Sequence, residues 1–203
     1  FYRTAYSPEL LEKLKLPVEK KLFSARDRLG IIRDLFALSE AGTIPTTNAL
    51  EFLASYKNED NYSVWVEIAS GLGTIKQLIA KTPVKANLNK LVVELFSPLV
   101  EKLGWNGKKG ESHTDTLLRS LVISRAGRAG NEKIIAEARK KFSAMQKGGY
   151  VSPDIRSAIY SIVAACGGKK EYDIFIKKYK KEALHEEKNR IGGSLGYFRD
   201  EKI

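Results

Sequence analysis

Cysteine and histidine are scarce in this sequence of 203 residues, which contains one Cys (Cys166) and two His (His113 and His185). A single cysteine excludes an intramolecular disulfide and a four-cysteine zinc site, and it favours a reducing compartment. A hydrolytic zinc centre needs about three protein ligands plus an open position for water. His185-Glu186 begins an H-E-x-x-H pattern, but Asn189 stands where the second histidine is required. The sequence therefore predicts no metal site.

Long apolar runs are also absent, because Lys or Glu interrupts every hydrophobic segment. A membrane-spanning helix needs about 20 consecutive apolar residues, so we expect none and no membrane partner. The chain begins at Phe1 rather than Met and shows no signal peptide. We therefore expect a piece of a longer protein, and the single cysteine favours a cytoplasmic location for it.

Motifs for nucleotides and for nucleophilic catalysis are missing as well. Gly71-Leu72-Gly73 has Lys76 where a dinucleotide-binding loop needs glycine, and Gly107-Lys108 lacks the remaining P-loop residues. Cys166 is interpreted as a small buried hydrophobe, since no histidine is near it in sequence. The acidic pairs Glu59-Asp60 and Glu186-Glu187 are interpreted as solvated neighbours. We assign no catalytic, cofactor-binding or metal-binding residue to this chain.

Positive charge is what the sequence does have, with 35 Lys and Arg against 24 Asp and Glu and a net charge of +11. Such a balance is typical of proteins with acidic partners. Acidic residues are nevertheless interspersed even in the most basic segment, residues 169–190. This mixture favours a solvated helical surface over a nucleic-acid interface.

Helical periodicity fills almost the whole chain. Residues 1–6 (FYRTAY) alternate aromatic and polar side chains and predict a short strand whose partners lie outside this chain. Helix starts are indicated by Ser7-Pro8, Asn131 and Ser152-Pro153, and Trp65 belongs to an apolar stripe that predicts a core position. Trp105 lies in a glycine-rich loop, where it either packs over a helix end or makes a contact.

Helix pairs are predicted to begin near Ser24, Asp60, Ser112 and Ser152. Their spacing favours an all-α solenoid of antiparallel helix pairs of the HEAT or armadillo type, with a compact irregular bundle as the alternative. We expect residues 1–6 to be a residual strand of an upstream β-sandwich. Residues 7–203 are expected to form the first part of a longer helical-repeat domain.

Several segments together resemble a known family. They are Phe1–Tyr6, Asp27–Gly30, Asp34–Gly42, Tyr56–Glu59, Val64-Trp65, Gly104-Trp105, Glu111–Arg119 and Phe198–Asp200. The resemblance is to the C-terminal helical domain of zinc aminopeptidases of the puromycin-sensitive and aminopeptidase N superfamily, and it spans nearly the whole chain.

This resemblance implies a non-catalytic role. In the family, zinc and the catalytic groups lie in an upstream domain carrying H-E-x-x-H and Gly-Ala-Met-Glu-Asn segments, and this chain has neither. The helical domain encloses the active site and shapes peptide access, while the parent enzyme removes N-terminal amino acids from peptides. The implied partners are the upstream catalytic and β-sandwich domains and peptide substrates, and the implied cofactor is zinc in the upstream domain. The cytosolic branch of the family is favoured.

A second class of function stays open. A stand-alone helical-repeat module could use the basic surface to bind acidic proteins or nucleic acid, and a continuous basic stripe free of acids would favour it. We also expect self-association through the N-terminal strand or the last helix, where Ile191, Leu195, Tyr197 and Phe198 suggest an uncovered apolar face.

Overall fold

A computed structural model describes residues 2–200. In that range the chain forms ten α-helices and one 3-10 turn, Leu53–Tyr56, which follows the third helix. The helices are α1 (Pro8–Glu19), α2 (Ala25–Glu40), α3 (Thr46–Phe52), α4 (Tyr62–Leu78), α5 (Lys85–Leu103), α6 (His113–Ala129), α7 (Glu132–Gln146), α8 (Pro153–Ala165), α9 (Lys169–Lys181) and α10 (His185–Leu195). The prediction of an all-α fold is confirmed. The chain divides into two compact units, 1–85 and 86–203.

Local capping chemistry explains where most helices begin. Ser7 caps α1 with Pro8 at the first position, and Asn131 and Ser152 cap α7 and α8 through their side-chain oxygens. Ser112 and Asp115 form a reciprocal capping box at the start of α6. These starts agree with the sequence pattern, because a cap is decided by residues within one helical turn.

The strand predicted for residues 1–6 is not observed. Residues 2–6 belong to no helix or strand, and Phe1 lies outside the described residues. A strand is defined by hydrogen bonds to a partner strand. Here the backbone N–H of Thr4 instead donates to the Asp34 carboxylate at 3.3 Å, and Arg3 Nη1 donates to the same carboxylate at 3.2 Å. The segment is thus held against α2 by a polar contact.

The first unit, 1–85, is built around α2 and α4, which pack on each other. Trp65, Ile68 and Leu72 on α4 are buried as the apolar stripe predicts, whereas Ile75 is only half-buried. Gly71 allows the close approach of the two helices. A Cβ built at this position would lie 2.4 Å from a ring carbon of Phe36 on α2.

The second unit, 86–203, has the layered order expected of stacked helix pairs. Helix α8 packs between α6 on one side and α10 on the other, and these three form one row. Helix α7 contacts both α6 and α8, and α9 contacts both α8 and α10, so α7 and α9 form a second row. From α6 to α10, alternate helices thus fall in the same layer, which is the α-solenoid arrangement.

A buried arginine anchors the loop between α5 and α6. Arg119 on α6 donates through Nη1 and Nη2 to both carboxylate oxygens of Glu111, and through Nε to the backbone carbonyl of Leu103 at 3.3 Å. Hydrogen bonds from Arg119 and from the backbone N–H of Lys108 lower the pKa of Glu111 to about 2. The loop that carries Trp105 is therefore tied to α6 by a fully ionised pair.

The apolar side chains at the end of the chain are more buried than the sequence predicts. Ile191 on α10 is completely buried, and the Phe198 ring meets Tyr172 and Phe175 edge-on at 5.3 and 5.5 Å. Tyr197, at 39% exposure, lies under the Arg128 guanidinium at 4.3 Å. The prediction of an uncovered face was therefore wrong for Ile191, and Leu195 and Phe198 are half-buried, whereas Tyr197 remains exposed.

Candidate functional site

A groove with a volume of about 340 Å³ lies on the second unit and is lined by residues of α7, α8 and α9. Apolar side chains of Phe142, Met145, Tyr160 and Ile174 line it. Gln146 and three lysines of α9, at positions 177, 178 and 181, complete the lining. We call this the lysine groove. It combines an apolar floor with a cationic rim.

The floor of the lysine groove is held by aromatic packing. Tyr160 is 1% exposed and meets Phe142 and Phe175 edge-on, with ring centroids 6.0 and 5.6 Å apart. Phe142 and Phe175 stack on each other at 5.3 Å. Such aromatic contacts stabilise a cluster beyond the burial of apolar area alone. The floor is therefore pre-formed rather than assembled by a ligand.

A buried carboxylate lies behind this floor. The Tyr160 hydroxyl donates to Glu187 Oε1, while Arg190 Nη1 and Arg156 Nη1 donate to Oε2 at 3.1 and 3.4 Å. Burial raises the pKa of Glu187, but these bonds and the Arg156 charge outweigh it and hold that pKa below its usual range. Burial also raises the pKa of Tyr160, with the Glu187 bond adding to the effect. The network joins α8 to α10.

This network corrects the interpretation of Glu186-Glu187 as two solvated acids. Glu186 is exposed and pairs with Arg190, but Glu187 is 3% exposed. Adjacent helical residues point about 100° apart, so one faces water and the other faces α8. Glu59 of the pair Glu59-Asp60 is buried as well, so that interpretation was wrong for one acid in each pair.

The lysines on the rim have few acidic neighbours. Lys178 lies 3.8 Å from Glu182, the residue that follows α9, and none of the ion pairs found among residues 2–200 includes Lys177 or Lys181. Lys178, Lys180 and Lys181 in the last turn of α9 also suit the negative end of the helix dipole. The sequence analysis predicts only a solvated surface here. The pattern that would have indicated a groove is the helical spacing of Lys177, Lys178 and Lys181 after Ile174, which places all four on one side of α9.

The histidines are not brought together with other ligands. His113 and His185 are both exposed and open α6 and α10, and Asn189 is exposed. Among residues 2–200, no group of three His, Cys, Asp or Glu is arranged to hold a metal ion. In the same range no helix is long and apolar enough to cross a bilayer.

Two other residues singled out from the sequence lie outside the groove lining. Cys166 is a free thiol at the end of α8 that is half-buried, so it is less buried than predicted. Its backbone carbonyl accepts a 2.7 Å hydrogen bond from Arg139 Nη2. Trp105 is half-buried, with the Lys141 ammonium 5.7 Å from its ring centroid. Both contacts are structural, and neither supplies a nucleophile with a base.

Comparison with known proteins identifies the kind of domain. The family described as ERAP1-like C-terminal domain matches residues 1–203. Aminopeptidase M1-A of Oryza sativa subsp. japonica is 31% identical over 211 residues, which cover 100% of this chain and 24% of that protein. The alanine/arginine aminopeptidase of Saccharomyces cerevisiae is 30% identical, covering 98% of this chain and 24% of its own length.

A third relative, the puromycin-sensitive aminopeptidase of Caenorhabditis elegans, is 33% identical over 85% of this chain and 19% of its own length. The chain thus spans about a quarter or less of these curated relatives. The resemblance drawn from the sequence motifs is confirmed. On these matches and its all-helical fold, the chain belongs to the ERAP1-like C-terminal domain family.

Proposed function

We propose that this chain is the non-catalytic C-terminal helical domain of a zinc aminopeptidase. It encloses the active site of the parent enzyme and shapes the access of peptides, whose N-terminal amino acids the parent removes. The observation that carries the proposal is the match of one C-terminal domain family to residues 1–203, together with aminopeptidase relatives about four times as long. Residues 7–203 are proposed as the first part of a longer helical-repeat domain.

The remaining parts of the proposal concern partners outside this chain. Residues 1–6 are proposed to pair with strands of an upstream β-sandwich, because a strand forms only through hydrogen bonds to a partner strand. The other partners are the catalytic domain and peptide substrates, in the cytoplasm. The presence of one cysteine in 203 residues supports a reducing compartment.

Zinc is proposed to lie in the upstream catalytic domain. The described residues of this chain do not fit a hydrolytic zinc centre, because His185 and Glu186 are followed by Asn189 and both histidines are exposed on separate helices. No step of the reaction is assigned to any residue here. What the chain supplies is a stack of helices, in which α6, α8 and α10 are locked together by buried side chains.

The test compares the isolated chain with the whole protein encoded by the same gene. Both are incubated with fluorogenic aminoacyl substrates and added zinc, with and without a chelator. We expect turnover that the chelator abolishes in the whole protein, and none in the chain. Chelator-sensitive turnover by the chain would overturn the proposal. A whole protein with neither activity nor an H-E-x-x-H segment would overturn it too, in favour of a stand-alone binding module.

A further inference from the structure

The role proposed above assigns nothing to the lysine groove, which combines exposed lysines with apolar side chains as a binding site would. We propose that it binds an acidic peptide segment in which a carboxylate lies next to an apolar side chain. The proposal stands independently of the aminopeptidase assignment, because it rests only on the groove residues of the second unit.

The charge of the rim selects an anionic partner. Lys177 and Lys181 are exposed, and the ion pairs found within residues 2–200 use neither of them. Lys178 faces Glu182 at 3.8 Å, beyond hydrogen-bonding distance. A ligand carboxylate would therefore meet two ammonium groups without displacing an existing partner. Complementary charge at a rim mainly raises the association rate and selects between partners.

The floor of the groove selects an apolar group beside that charge. Met145 and Ile174 are half-buried and line the groove, so each keeps apolar surface that a ligand would cover. Beneath them, Tyr160 is fixed by its hydrogen bond to Glu187 and by the rings of Phe142 and Phe175. A rigid floor spares the ligand the entropic cost of ordering it.

The size and shape of the groove favour a peptide over nucleic acid. A volume of about 340 Å³ is at the lower end of the range for ligand pockets, roughly 300–1,000 Å³, and accommodates one or two side chains. Single-stranded nucleic acid is held by exposed aromatic rings on which successive bases stack. Here the rings of Phe142 and Tyr160 are buried, at 7% and 1% exposure, and cannot serve as stacking platforms.

The experiment is a fluorescence anisotropy titration of the full 203-residue chain. The probe is a fluorescein-labelled peptide that alternates glutamate and leucine. Two matched peptides replace glutamate with glutamine or leucine with serine, and a labelled oligodeoxythymidine tests nucleic acid. We expect the glutamate–leucine peptide to bind most tightly, and its affinity to fall as salt screens the lysines.

Variants locate the binding. Lys177→Glu/Lys181→Glu should weaken the affinity about tenfold, and Ile174→Ser about fivefold through lost apolar contact. The control Lys13→Glu/Lys109→Glu makes the same change in net charge at exposed lysines outside the groove, and should change affinity less than about twofold. Circular dichroism of each variant checks that the helices remain.

Three results would overturn the proposal. They are an absence of saturable binding by the unmodified chain, an equal loss of affinity in the control pair, and tighter binding of the oligonucleotide than of the peptide. The last result would assign the lysines to a general polyanion surface. An unchanged affinity in folded Ile174→Ser would remove the apolar half of the proposal.

Discussion

Arg28 and Glu59 form a buried, doubly hydrogen-bonded ion pair across 31 residues of sequence. The guanidinium donates through Nε to Oε2 at 2.6 Å and through Nη2 to Oε1 at 2.9 Å. Glu59 Oε1 also accepts the backbone N–H groups of Asp60 and Asn61, each at 2.9 Å. The pair therefore fixes α2 to the turn before α4. Because both side chains are buried away from water, each charge is stabilised by the other.

Glu59→Gln should destabilise the first unit by about 3 kcal/mol. The change leaves the Arg28 charge buried without a carboxylate, and removing one partner of a buried pair costs about 3–5 kcal/mol. The control is Asp60→Asn, since Asp60 is exposed and pairs only at the surface with Lys21 at 2.7 Å. Its expected cost is about 0–1 kcal/mol. Urea unfolding measures both, and equal losses would contradict the assigned role.

The same pair should make the free energy of unfolding depend on pH. Burial raises the pKa of Glu59, but the Arg28 and backbone hydrogen bonds outweigh it, so its folded pKa lies below the ordinary 4.5. The unfolded chain then binds the proton more tightly, and stability contributed by Glu59 is complete above pH 4.5. It is lost as pH falls through the folded pKa. The free-energy difference between the unmodified chain and Glu59→Gln should therefore shrink below pH 4.5.

The Arg28–Glu59 pair also shows what the sequence could not predict. Helix starts such as Ser7, Ser112 and Ser152 were predictable because each cap is decided within one turn. Glu59 was grouped with Asp60 as a solvated acid, since nothing nearby in sequence reveals a partner on another helix. Lys177 and Lys181 were likewise counted as surface charge, because the groove beside them is formed by three helices.

Gly71→Ala should destabilise the chain although alanine is the better helix former. A Cβ at this position would lie 2.4 Å from Phe36, and overpacking of this kind costs about 1–3 kcal/mol. Gly30→Ala is the matched control in α2, because nothing lies within 4 Å of a Cβ there. It should stabilise by up to about 1 kcal/mol. Thermal unfolding should shift in opposite directions, and a stabilised Gly71→Ala would mean that α2 and α4 can move apart freely.

Tyr160→Phe isolates the bond between the groove floor and the network behind it. The change keeps the ring that packs on Phe142 and Phe175 but removes the hydroxyl that donates to Glu187. We expect a loss of about 1–3 kcal/mol, since a buried carboxylate loses one donor while Arg156 and Arg190 remain.

The control for this change is Tyr150→Phe, because Tyr150 is 83% exposed and should lose almost nothing.

Hydrogen exchange gives the more specific readout. Glu187 joins α10 to α8, so removing the Tyr160 hydroxyl that donates to it should weaken the packing of α10 on α8. Protection of α10 amides should fall further in Tyr160→Phe than protection of α6 amides, because α6 packs on α8 at other places, such as where Gly127 lies against Ile162. Peptide affinity at the lysine groove should change little, because the contacts with Phe142 and Phe175 still hold the ring in the floor. A uniform loss of protection across α6, α8 and α10 would show that the hydroxyl stabilises the second unit as a whole rather than this one junction.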